Sequence, residues 1–124
     1  MPVIIGVALG GALGASSRYL LDRAIEQHTF SVFPWATFTI NLTGCFLIGV
    51  VTEALVDRHH LPAWLRVGLV VGVIGGYTTF STFAQESLTL LESRDFAVDL
   101  VYLVGSITIG ILFVWFGVLA GRAL

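Results

Sequence analysis

Residues 75–83 read Gly75-Gly76-Tyr77-Thr78-Thr79-Phe80-Ser81-Thr82-Phe83, inside a stretch, residues 63 to 92, that is otherwise apolar enough to cross a membrane. A glycine pair followed by β-branched threonines disfavours a continuous helix. Hydrocarbon tolerates a broken backbone only where protein or enclosed water satisfies its N–H and C=O groups. The stretch is also too long for one straight crossing, which takes about 20 residues. These residues predict a discontinuous third helix, broken near Gly75 to Thr79, and mark the break as a candidate site.

The rest of the chain gives the break its setting. Of 124 residues, 56% are hydrophobic and only 11% are charged, and the mean hydropathy of +0.94 is foreign to a soluble domain. Apolar segments near residues 3 to 22, 34 to 56, 63 to 92 and 96 to 121 predict an all-α membrane protein, a single domain of four transmembrane helices over residues 1–124. The first segment has no basic leader and no A-x-A site before Arg18, so it reads as a retained helix rather than a signal peptide. Phe33, Trp35, Trp64 and Trp115 suit interfacial anchoring. Glycines four residues apart, Gly6, Gly10 and Gly14 on the first helix and Gly117 and Gly121 on the last, make small faces for close helix packing.

Several function classes fall away. A net charge of −2, with arginine supplying all six cationic residues, is too small to argue for nucleic acid or an acidic partner. The lone Cys45 cannot close an intrachain disulfide and reads as packing. A phosphate-cradling loop would need a lysine the chain lacks. His28, His59 and His60 fall in connections, and the adjacent pair shares no helix face, which argues against an imidazole metal site. With no nucleophile, base and orienting group in array, the chain is not read as an enzyme.

Orientation is undetermined in an informative way. Four crossings put Arg58, Arg66 and Arg122 on one side and Arg18, Arg23 and Arg94 on the other. Topology follows an excess of cationic residues, and here there is none. Either the charges are uninformative, or the chain inserts both ways and pairs with an inverted copy about a two-fold axis in the membrane plane.

Polar residues within apolar segments need partners. Thr37 and Asn41 are one turn apart, with Thr52 near the same face. Glu86 follows the motif, and an intramembrane carboxylate is a functional candidate by default. Tyr102 and Ser106 again stand one turn apart. Interhelical hydrogen bonding accounts for such residues, and so does a narrow wet track. Phe80 and Phe83 share nearly one helical face, amid the hydroxyls of Thr78, Thr79, Ser81 and Thr82. Ring edges carry partial positive charge; with amide and hydroxyl donors they can replace part of an anion's hydration, or the rings can simply pack. Unwinding at Gly75 to Thr79 would also free carbonyls able to ligate a hard cation such as Na⁺.

The run Gly75 to Phe83 with Glu86, preceded by Asn41-Leu42-Thr43-Gly44 and by Gly10-Gly11-Ala12-Leu13-Gly14 leading to Arg18, resembles the Fluc (CrcB-type) family of fluoride channels nearly end to end. That resemblance implies a passive, selective fluoride exporter in a prokaryotic plasma or inner membrane, multi-pass, built as an antiparallel dual-topology homodimer with two pores. By motif position it implies fluoride coordination by Asn41, Phe80 and Phe83. It places Thr37, Ser81, Thr82, Glu86, Tyr102 and Ser106 on a polar track, and Arg18, with Asp22 as a possible partner one turn away, in the vestibule. It assigns backbone carbonyls of Gly75 and Thr78 to a structural Na⁺ at the dimer interface. A small proton-coupled multidrug transporter of four helices is the alternative, although residues 3 to 17 hold no acid and Glu86 would have to exchange the proton. A noncatalytic assembly subunit, its polar residues serving only as glue, is a third.

Overall fold

Proline sets where helices begin, because a residue without an N–H cannot sit inside the ladder. Pro2, Pro34 and Pro62 stand immediately before α1 (Val3–Glu26), α2 (Trp35–Val51) and α3 (Ala63–Val67). α2 runs on into a π-helical turn, Thr52–Asp57. The third crossing, Ala63–Glu92, is composite: α3, a π-helical segment Gly68–Ile74, then α4 (Gly75–Tyr77) and, after a break, α5 (Phe80–Glu92). α6 (Phe96–Ala123) completes the chain. This computed structural model describes residues 1–57 and 61–124. Arg58, His59 and His60 lie outside the described residues, so what the sequence says of them stands on sequence alone.

Among the described residues four spans are long and apolar enough to cross a membrane, as expected. The first extends past residue 22 to Glu26, and no strand occurs among the described residues. The α5–α6 connection is tight. Ser93 N–H donates to the Thr89 carbonyl at 3.0 Å and Asp95 N–H to the Leu90 carbonyl at 2.9 Å, with Arg94 in the left-handed region at φ 61° between them.

The glycine faces decide which helices touch. A Cβ at Gly6, Gly10 or Gly14 would overlap the carbonyls of Trp64, Gly68 or Val73, so α1 lies backbone to backbone on the third crossing. That crossing answers with its own series, Gly68, Gly72 and Gly76. On the other side a Cβ at Gly49 or Gly117 would overlap the Val114 or Phe46 carbonyl, which seats α2 on α6. The small faces on the first and last helices are therefore seams within one chain.

Little of the molecule is deeply buried. Tyr102, Ile40 and Thr37 are the largest fully enclosed side chains. Apolar residues such as Leu100, Val104, Ile107 and Ile111 along α6 are exposed, as surface destined for lipid or for another chain would be.

Candidate functional site

The break is smaller than the sequence motif implies and has a different cause. Gly75, at φ −62° and ψ −37°, is helical, and α4 carries the glycine pair through to Tyr77. The chain leaves the helix only at Thr78 (φ −84°, ψ 161°) and Thr79 (φ −149°, ψ 117°). The expected break over Gly75 to Thr79 is thus corrected to two extended threonines. Gly76 serves contact instead: a Cβ there would come within 3.0 Å of the Gly11 carbonyl oxygen on α1.

Asn41 repairs the interrupted backbone. Thr79 N–H, which a continuous helix would direct at the Gly75 carbonyl, donates to Asn41 Oδ1 at 2.8 Å, and Asn41 Nδ2 donates to the Thr79 carbonyl at 3.0 Å. Bare backbone groups in hydrocarbon each cost several kcal/mol, so one side chain on α2 makes the break tenable. Thr79 also caps α5, its Oγ1 accepting from Thr82 N–H at 3.3 Å. Thr43 Oγ1 and Tyr77 OH lie 2.8 Å apart, tying α2 to the end of α4. Arg18 turns its Nη1 to the Thr78 carbonyl at 3.1 Å rather than to Asp22.

Beside the break lies a groove of about 310 Å³, lined among others by Asn41, Cys45, Thr79, Phe80, Phe83 and Ser106. The two phenyl rings are 5.7 Å apart between centroids, yet they differ in situation. Phe83 is 8% exposed and packs on Tyr102, whereas Phe80 is 79% exposed. Ser106 Oγ is buried with no hydrogen-bond partner among the described residues. Cys45, read from sequence as packing, also faces this groove.

The remaining track residues gather beyond Phe83. Glu86 Oε1 accepts from Thr37 Oγ1 at 2.7 Å and its Oε2 from Tyr102 OH at 2.6 Å. Both hydroxyls are thereby engaged by a carboxylate instead of standing free. Glu86 also opens on a second cavity of about 260 Å³, shared with Glu26, Thr29, Ser31 and Trp35. Ser81 and Thr82 cluster around the Thr79 hydroxyl, at 3.5 Å and 3.0 Å. The structure thus brings Asn41, Phe80, Phe83 and Ser106 to one groove, and Thr37, Glu86 and Tyr102 to a triad behind it. Arg18 belongs to neither set but bonds the carbonyl of Thr78, a residue that lines the groove. Sequence reading overlooked the Thr43–Tyr77 tie, Glu26 and the buried Ser87–Asp99 pair. Asp99 had a signal, an acid inside the apolar segment 96 to 121.

Chemically, the groove offers the Asn41 amide, two phenyl rings and the Ser106 hydroxyl; the Thr78 and Thr79 hydroxyls that also line it already donate, to the Ile74 carbonyl and to Thr82 Oγ1. Asn41 retains a second amide hydrogen beyond the one used on Thr79. For a hard cation, the break offers main-chain oxygen. The Gly75 carbonyl loses its helical donor to Asn41, and the Thr78 carbonyl, which accepts from Arg18, has a second lone pair. Among the described residues no cluster of His, Cys, Asp and Glu could hold a metal. One chain supplies two such carbonyls, only part of a shell for a hard cation, and the Thr78 oxygen already faces the Arg18 guanidinium.

A model of the family described as CrcB-like protein, Camphor Resistance (CrcB), matches residues 5–118. The chain is 45% identical over 118 residues to a protein of Acidobacterium capsulatum named fluoride-specific ion channel FluC, covering 94% of this chain and 93% of the relative. It is 42% identical over 118 residues to the protein of that name in Phocaeicola vulgatus, covering 95% and 97%. With the one from Aquifex aeolicus the identity is 39% over 124 residues, the whole of both chains.

Proposed function

The chain belongs to the CrcB family, and from that premise we propose that it is a passive, fluoride-selective channel that lets the ion leave the cytoplasm down its electrochemical gradient. It is a multi-pass membrane protein and not an enzyme. The observation that carries the reading is the groove at the helix break, which Asn41, Phe80, Phe83 and Ser106 line together. A small, strongly hydrated anion needs donors to replace its water, and binding weak enough to leave again. This groove supplies donors and no fixed counter-charge to trap the ion. HF entering from an acidic exterior dissociates in a more alkaline cytoplasm and accumulates there as the anion, so export needs no energy source. A prokaryotic plasma or inner membrane is the compartment this role requires.

In this proposal Thr37, Ser81, Thr82, Glu86 and Tyr102 form the track, and Arg18 lends positive charge near its vestibule. The functional unit is an antiparallel homodimer with two pores. Two features support it: the even arginine split and the exposure of Phe80 beside an open groove. Gly75 and Thr78 of both subunits would hold a central Na⁺ through their carbonyls, a fixed positive charge that lowers the cost of an anion at mid-membrane. Proton-coupled drug transport is set aside, because Glu86, the carboxylate it needs, is hydrogen-bonded at both oxygens.

The test is reconstitution. Liposomes loaded with fluoride should release it through the purified protein while retaining chloride. Equal release of the two anions, or of neither, sinks the reading; a lipophilic cation taken up along a pH gradient would revive the transporter.

A further inference from the structure

Behind the groove, α5 and α6 share a polar contact that the proposed ion path does not use. The buried face of α5 consists of Phe83, Ser87 and Leu90, spaced as one helical stripe. Ser87 is its single hydroxyl. Ser87 Oγ donates to Asp99 Oδ1 on α6, and both residues are buried, at 6% and 2% exposure. Asp99 lies in the first turn of α6, where the helix N-terminus favours a carboxylate. One residue before Ser87 is Glu86, and one turn beyond Asp99 is its partner Tyr102, so two side-chain bonds run in parallel between the same helices.

We propose that the Ser87–Asp99 pair pins the rotation of α5, making Asp99 a positioning residue for Phe80, Phe83 and Glu86. Rotating α5 would withdraw the hydroxyl from a buried carboxylate, a penalty an apolar contact does not impose. Polar pairs in apolar interfaces serve best as register devices. Here the register matters, because Phe83 must face both the groove and Tyr102 while Glu86 reaches Tyr102 and Thr37. Besides this pair, α5 is held by its Thr79 cap, by the Glu86 bonds to Thr37 and Tyr102 and by the tight α5–α6 turn; at its middle the Glu86 bonds are part-buried, whereas the Ser87–Asp99 pair is wholly buried.

The inference rests on the fluoride-channel reading, and the same liposomes separate the two. Wild-type protein that releases no fluoride sinks the channel reading. Given wild-type release, the paired variant Ser87→Ala/Asp99→Leu removes both polar groups and leaves no orphaned charge, so it should assemble with near wild-type thermal stability. Its fluoride release should fall about tenfold and its preference over chloride should narrow, as loss of one aligning bond would bring. Asp99→Asn keeps an acceptor for Ser87 and should retain most of the release. An assembled paired variant with wild-type release and selectivity overturns the proposal. If the paired variant does not assemble, Asp99→Asn decides: retained selective release supports a pin, and loss of release with stability unchanged overturns it in favour of a role for the charge itself.

Discussion

Asn41 shows how much one residue can settle. Its amide takes over both hydrogen-bonding duties at Thr79, accepting from the N–H at 2.8 Å and donating to the carbonyl at 3.0 Å. Asn41→Asp keeps the acceptor but sets a carboxylate oxygen against the Thr79 carbonyl. The expected result is a loss of about 1–3 kcal/mol in stability together with fluoride release, read by thermal unfolding in detergent and by liposome flux. Tyr102→Phe removes one of the two donors on Glu86 while keeping the ring that packs on Phe83. It should lower the melting temperature by an amount equivalent to about 1–3 kcal/mol and slow release without abolishing assembly. Gly44 faces the break from α2, and a Cβ there would overlap the Thr78 methyl. Gly44→Ala should therefore displace Thr78 and destabilise by about 1–3 kcal/mol, as overpacking does.

The third crossing carries the lesson at the level of elements. Its interruption was legible because a glycine pair followed by threonines disfavours a continuous helix, but the glycines stay helical and only the threonines leave the helix. Gly75 and Gly76 have helical dihedrals; one is packed and the other is not. A Cβ at Gly76 would press on Gly11 at 3.0 Å, whereas one at Gly75 meets nothing nearer than the Val70 carbonyl at 3.7 Å. Gly76→Ala should push α1 away and lower thermal stability. Gly75→Ala should be harmless within one chain, so a marked loss of dimer in that variant would place a partner's backbone against Gly75. The π-helical segments Thr52–Asp57 and Gly68–Ile74 had no sequence signature, since the shift in hydrogen-bond register leaves the apolar pattern of a membrane helix unchanged.

For the whole molecule the chief fact is how much remains open. The groove at the break and the 79% exposed Phe80 both lie on surface that a second copy could cover. If a shared Na⁺ joins two inverted chains, replacing Na⁺ with a large organic cation should shift the purified protein from dimer towards monomer and lower its melting temperature. Light scattering and thermal unfolding in the two salts check this. Unchanged behaviour would remove the ion from the proposal.

The four crossings, the membrane setting, the existence of a break and the candidate residues around it all followed from the sequence. Hydrophobic length, turn chemistry and the cost of bare polar groups act locally along a chain. Partnership did not follow. That Asn41 mends Thr79, that Arg18 meets the Thr78 carbonyl, that Thr37 and Tyr102 are engaged by Glu86, and that Asp99 holds Ser87 were decided by tertiary structure alone. A donor's need for an acceptor can be read from its chemistry. Which acceptor it finds depends on how close the glycine seams let the helices come and on the angle at which they set each face.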